Sequence, residues 1–398
     1  MKEKYQLLIC PPFLMLLIQL VATNLWAYET THIIKPNANF ETMATNNGCL
    51  TFLDSKLAVN SNPAIFPYVI REEFLFVALG KISGQAVTAT KKLLFDDIDA
   101  NFLKDLFSNK SFLSWTADTS FNFFTPYFVL SYSPYFLYSD ILIYNPALPK
   151  IAIQLMERKT LRLTSGIDLT KYLGQKYDLS NKFFFREFNL SIGTTLSFFS
   201  EKYMNKYFSL IELLLNDTKD IIKFEKYSGV MADIGMTLEN KKRYWSPVFS
   251  FVYKNIGSKY EDQVNRNNTI SYQPPLSSYT AQKDLNQLHT SNEFDNMSII
   301  GLGYNFKTPV GALNFGLTTS FLKFFHHHIN DSESLAAKYS LGLFSAYTSY
   351  SRYAQTAGLL FSSKNLSIGI LYSSEKEIKN YNISRDNAIY LNLDLKIY

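Results

Sequence analysis

Three consecutive histidines, His326, His327 and His328, with Asp331 close behind, form the densest group of metal-ligating side chains in the chain. A metal site wants imidazoles on one face together with a carboxylate. Adjacent residues on a strand point to opposite sides, so three in a row do not converge, and a solvated loop is the simpler reading. His289, Ser291 and Asn292 supply the residue types of a base, a nucleophile and an orienter. They sit in a polar stretch without strand alternation, and His32 stands far away near the N-terminus. Neither arrangement offers a nucleophile–base geometry. The chain is therefore read as no enzyme, with no metal and no cofactor.

Another polar set is spaced differently. Asp118, Glu187, Asp233, Glu239, Asn305 and Lys307 each stand on the polar parity of a segment whose other parity is apolar. Trp115, Ala117, Thr119, Phe121 and Phe123 face one way, with Thr116, Asp118, Ser120 and Asn122 opposite. Phe188, Leu190, Ile192, Leu196 and Phe198 likewise oppose Glu187, Asn189, Ser191, Gly193, Thr195 and Ser197, and Val230 to Leu238 repeats the pattern around Asp233, Gly235 and Thr237. A period of two is the signature of a strand with two unlike faces. The polar faces are rich in Gly, Ser, Thr and Asn, which suits a wet or tightly filled lumen. The six residues are expected to line that lumen, pairing across it or setting the charge of a pore.

The elements that would position them extend to the C-terminus. From Ile389 to Tyr398 the chain alternates throughout, with Ile389, Leu391, Leu393, Leu395 and Ile397 on one side. That is about the length (~9–11 residues) of a tilted strand crossing a bilayer core. Ile300 to Lys307 and Leu313 to Phe321 make a hairpin across Thr308-Pro309-Val310-Gly311, and Gln355 to Phe361 pairs with Leu366 to Tyr372 across Ser363-Lys364-Asn365. Glu261 to Asn296 and Phe325 to Leu335 read as loops, and Thr90 to Phe107 has helical spacing. Residues 71–398 are thus predicted to form an antiparallel transmembrane β-barrel of about twelve to fourteen strands, with a short helical insert.

Bulk properties agree. Lys2, Lys4 and the apolar run from Leu7 to Ala22 read as a signal peptide over residues 1–27, leaving 28–70 as an N-terminal segment long enough to enter the lumen. Beyond it no apolar stretch reaches the length of a spanning helix, so a membrane form must be a closed sheet. Phe and Tyr, 33 and 27 of them, can supply interfacial girdles. The net charge of +5 is diffuse and is no nucleic-acid footprint. Cys49 is the one cysteine beyond the leader, so no internal disulfide can form.

Several short motifs follow one another in order. Ala58-Val59-Asn60-Ser61-Asn62-Pro63-Ala64 resembles the "A…NPA" motif near the start of FadL-superfamily barrels, and Leu93 to Asp99 an acidic helical insert after the first strand. Leu190 to Leu196 is similar to the strand that opens the central repeat. Ala232-Asp233-Ile234-Gly235-Met236, followed by Asn255-Ile256-Gly257, is similar to the "D-G" strand and "NxG" turn of the TraF/PorV-like branch. The resemblance spans roughly residues 44–398. It implies an outer-membrane location in a double-membraned bacterium, contact with outer-membrane lipid and with the barrel-assembly machinery, and passive transport of hydrophobic or amphipathic small molecules. Its nearest branch implies instead a non-transporting barrel that docks secreted or surface proteins; an adhesin is a third reading. Asn62, Pro63 and Ala64 are expected to be structural, turning the chain from the lumen into the first strand. An open greasy lumen would favour transport and a sealed one docking.

Overall fold

The fold is seen in a computed structural model that describes residues 39–46, 48–69, 72–83, 112–144, 150–177, 183–209, 224–241, 245–261, 297–307, 311–322, 333–351, 354–379 and 382–397. The strands are β1 (Glu73–Ser83), β2 (Phe112–Phe124), β3 (Val129–Tyr144), β4 (Lys150–Asp168), β5 (Phe188–Ser209), β6 (Glu225–Asn240) and β7 (Trp245–Glu261). They continue as β8 (Met297–Lys307), β9 (Ala312–Leu322), β10 (Ser334–Leu341), β11 (Phe344–Ser351), β12 (Ala354–Ser362), β13 (Leu366–Lys379) and β14 (Asn382–Ile397). Each pairs antiparallel with its sequence neighbours, and β1 pairs with β14 to close a fourteen-strand barrel. At the closing seam Phe76 lies opposite Leu395 and Ala78 opposite Leu393. Closure leaves no unpaired edge, the one arrangement in which a sheet satisfies its whole backbone ladder.

Side-chain parity decides what each face meets. Ile389, Leu391, Leu393, Leu395 and Ile397 are exposed on the outside of β14, whereas Tyr390, Asn392 and Asp394 are buried inside. Phe121 and Phe123 on β2, Leu161 and Leu163 on β4, and Leu196 and Phe198 on β5 also face outward. On β4 and β5 the apolar outer row gives way at exposed Lys159 and Ser200 to the pair Glu157–Lys202, whose charged atoms are 3.1 Å apart.

The interior is occupied by the chain from Asn39 to Val69. A short helix, Phe40–Ala44, and three 3-10 turns, Gly48–Thr51, Lys56–Asn60 and Pro63–Tyr68, pack against inward-facing residues on most sides of the ring. Phe52, Leu57, Ala58, Ile65 and Phe66 form its apolar centre and meet Leu75, Val77, Phe124 and Val129 of the wall. Burial of a Phe or Ile side chain stabilises by roughly 1.5–3 kcal/mol, so this cluster helps hold the segment in place.

The connections differ from the expected ones in three places. The chain between β4 and β5 forms two helices, Leu169–Lys176 and Phe183–Glu187, where none was expected. Glu187 closes the second of these and so precedes the strand in which sequence placed it. Asn255-Ile256-Gly257 is no turn: it lies inside β7, where an extra residue shifts the β6–β7 register between Ala232 and Ile234. Asn255 is left-handed there (φ 63°), and its N–H donates to Asp233 Oδ1 at 2.9 Å. The helix expected over Thr90–Phe107, the signal peptide and the histidine groups lie outside the described residues.

Candidate functional site

Three groups of wall glycines receive the inner segment. Gly166, Gly193 and Gly235 stand side by side across β4, β5 and β6 in register. A Cβ at Gly193 would collide with the Pro63 carbonyl, and one at Gly235 with Asn62 Oδ1. Only the missing side chains let the Asn62-Pro63-Ala64 backbone touch the sheet. Asn62 then fastens the seat. Its Oδ1 accepts from the Ala64 N–H at 3.1 Å, and its Nδ2 donates to Leu50 O at 3.0 Å and to Thr237 Oγ1 at 2.9 Å. On the other side Gly303 and Gly316, paired across β8 and β9, make room for Gly48 and Thr51. Gly369 of β13 and Gly358 of β12 receive the Phe40 ring.

An ionic cluster, buried except at Asp54, adds a fourth anchor. Lys338 of β10 donates to Glu41 Oε1 at 2.9 Å and to Asp54 Oδ2 at 3.3 Å. Tyr347 of β11 donates to the same Glu41 oxygen at 2.7 Å, and Asn314 of β9 to Asp54 Oδ1 at 3.1 Å. Sequence gave no sign of this cluster, because its members lie about 300 residues apart. Within the inner segment, burial pushes up the Cys49 thiol, helped by the nearby Glu41 charge. Burial likewise raises the Tyr68 hydroxyl.

The wall itself is interrupted at β3. Between Ser133 and Phe136 the register shifts against β4, and a matching shift falls between Thr119 and Phe121 against β2. One extra residue in β3 accounts for both, so the inward parity passes from Ser131 and Ser133 to Phe136 and Tyr138. Pro134, which has no N–H to donate, sits in the bulge. Behind it is a narrow crevice with room for about one water molecule, lined by Asn39, Leu57, Asn60, Ser120, Asn122, Ser131, Ser133, Thr160 and Arg162. Asn122 Oδ1, Ser131 Oγ and Thr160 Oγ1 are buried there without a hydrogen-bond partner among the described residues. Beyond the bulge the inner wall is mixed: Phe136, Tyr138 and Met156 form one apolar cluster, while Asp118 and Arg158 stand opposite Phe136 and Arg158 pairs with buried Glu201.

The six residues singled out from sequence do not form one site. Asp118 is buried beside the bulge, where its Oδ1 lies 2.9 Å from Ser133 Oγ. Asp233 holds the β7 bulge. Glu239 accepts from Asn189 at 3.2 Å, and Asn305 donates to Thr51 O at 3.4 Å. Lys307 is exposed at the end of β8, and Glu187 is 3.2 Å from Arg186 beyond the end of the wall. The crevice residues of β3 and β4 escaped the sequence reading; the signal for them was Pro134 inside an aromatic strand run.

No protein-family profile and no curated protein matches this chain. Among solved structures it is similar to a Pseudomonas aeruginosa FadL homologue, at 9% identity and TM-score 0.46 over 92% of this chain and 99% of that one. It is similar also to the P. putida toluene transporter TodX (9% identity, TM-score 0.43, 94% and 98% covered). The Ralstonia pickettii toluene transporter TbuX gives 7% identity and TM-score 0.43 over 91% and 98%. Likeness at this level adds nothing to the strand-by-strand geometry above.

Proposed function

We propose that the chain is an outer-membrane barrel that passively passes hydrophobic or amphipathic small molecules. The membrane location is supported by the closed ladder and by the exposed apolar rows outside it, since hydrocarbon tolerates a sheet only when it has no edge. In this reading residues 1–27 are a removed signal peptide, 28–70 a lumenal plug and 71–398 the barrel, inserted by the barrel-assembly machinery into outer-membrane lipid.

One observation carries the transport reading: the inner wall changes character at the β3 bulge. A uniformly polar row of Asn122, Ser131, Thr160 and Arg162 is followed by the apolar cluster of Phe136, Tyr138 and Met156, beside which the buried Arg158–Glu201 pair neutralises its own charge. The polar end of an amphipath suits the first and its chain the second. The β3–β4 ladder is interrupted at Ser133–Phe136, beside this change.

Liposomes holding the protein should take up a labelled fatty acid faster than empty ones. Deleting Pro134, which restores the β3 register on both sides, should lower that uptake. Uptake no faster than in empty liposomes would remove the proposal.

The filled interior favours a second reading, nearer the TraF/PorV-like resemblance, of a barrel that docks exported or surface proteins. Liposomes would then stay impermeable. Deleting the loop 262–296 would abolish partner capture while the barrel kept its heat-modifiable migration.

A further inference from the structure

At the barrel end where β1 starts and β14 stops, most described connections are short: 125–128, 342–343 and 363–365. The β4–β5 connection instead spans residues 169–187 and contains the two helices. Asp168 caps the first, its Oδ1 accepting from the Lys171 N–H at 2.9 Å. Tyr172, Tyr177 and Phe184 are left 48%, 58% and 44% exposed. Large rings left in contact with solvent on a long connection that carries two helices call for an explanation.

Two observations say what covers them. First, Phe184 stacks on Phe188 with centroids 5.5 Å apart, and Phe188 has the outward parity of β5, shared with exposed Leu196 and Phe198. Phe184 therefore continues the outer apolar wall and not the lumen. Second, cations are set among the rings. Lys176 Nζ lies 5.8 Å from the Tyr172 ring and 5.5 Å from the Tyr177 ring. Among the described residues Lys171 and Lys176 form no ion pair. Arg186 is largely exposed, and Lys241, exposed beside it, donates to Phe185 O at 3.1 Å. Aromatic rings with snorkelling cations mark the headgroup level, where ring bodies meet acyl chains and ammonium groups meet phosphate.

We propose that the helices Leu169–Lys176 and Phe183–Glu187 lie in the headgroup layer of the adjoining leaflet and select phospholipids with anionic headgroups. This rests on the membrane reading above. Lys171, Lys176 and Arg186 supply the charge, and Tyr172, Tyr177 and Phe184 set the depth.

The test uses the full chain, folded and heat-modifiable, exposed to phosphatidylcholine with and without phosphatidylglycerol. By native mass spectrometry the parent should retain phosphatidylglycerol over phosphatidylcholine. Lys171→Gln, Lys176→Gln and Arg186→Gln together should lose that preference, about fivefold for each lysine removed and less for Arg186, which is paired with Glu187. Equal retention of both lipids by the parent, or an unchanged preference in the triple variant, would overturn the proposal. Should the triple variant fail to fold, Tyr172→Trp decides independently, read as the difference from the parent's Trp26, Trp115 and Trp245 signal. Quenching by a headgroup-level spin-labelled lipid supports the proposal. Quenching by aqueous iodide alone refutes it and leaves the rings to a protein or a second copy. A parent that does not float with vesicles at all sinks the membrane reading itself, an outcome separate from flotation without lipid preference.

Discussion

Gly193→Ala should loosen the inner segment while leaving the barrel wall intact. The added Cβ would fall inside contact distance of Pro63 O and C, and 2.8 Å from Ala64 N, all of them backbone atoms. Backbone cannot rotate away as a side-chain tip does. The turn must therefore retreat from β5, straining the bonds from Asn62 to Leu50 O and Thr237 Oγ1. Overpacking of this kind costs about 1–3 kcal/mol, and a cost near 2 kcal/mol enlarges the population with a vacant seat roughly thirtyfold. Limited proteolysis of the folded barrel reads that population when opening is fast relative to cleavage. Cleavage within residues 39–69 should then accelerate by about that factor, while heat-modifiable migration is retained. Gly80→Ala is the control, because a Cβ there has nothing within 4 Å. Parent-like cleavage of Gly193→Ala, or equal acceleration by Gly80→Ala, would refute the idea that the glycine row is a seat.

Three further outcomes follow from the same geometry. Lys338→Met strands the buried Glu41 carboxylate and should lower stability to denaturant by about 3–5 kcal/mol, part of which Glu41→Gln in the same chain should restore. Leu393→Arg places a charge on the outer row between Leu391 and Leu395, and in lipid vesicles it should cost about 2–4 kcal/mol of unfolding free energy. Alkali should loosen the inner segment. Cys49 and Tyr68 hold their protons more tightly when buried, so the unfolded chain binds fewer protons than the folded one above the ordinary thiol value of 9.0, and stability falls as pH rises past it. Protection of 39–69 from proteolysis that is flat from neutral pH to above that value would contradict this.

How much of this was legible in the sequence depends on the range of each signal. Strand parity is local, and the rows at Ile389–Ile397, Phe121–Phe123 and Leu196–Phe198 face outward as their alternation indicates. Hairpins with short connections were legible for the same reason. The helices at Leu169–Lys176 and Phe183–Glu187 were not, since eight and five residues are too few for a clear period. The β3 bulge was half visible. Leu130 and Tyr132 are exposed on one parity and Tyr135 and Leu137 on the other, so the switch at Pro134 is written in the chain. The glycine seats and the Lys338–Glu41–Tyr347 cluster were invisible, because each joins residues from the inner segment to strands far along the chain. A glycine on a polar parity says only that something comes close; it does not say what.

The glycines also divide the ring into unequal sectors. Strands β4 to β6, β8 to β9 and β12 to β13 each carry a seat, and β10 and β11 hold Glu41 through Lys338 and Tyr347. Residues 112–144, which span β2 and β3, contain no glycine at all. The inner backbone cannot approach that sector as closely as the others, and the crevice lies there, behind the extra residue of β3. Parting the wall at the bulge would therefore break none of the seats. It follows that passage through the β3 sector and release of the inner segment are separable events. Pro134 deletion should reduce fatty-acid uptake without exposing residues 39–69 to protease. Gly193→Ala should expose those residues and admit polar dyes that the parent excludes. If both variants change uptake, dye entry and proteolysis together, the inner segment and the bulge move as one unit, and the sector argument fails.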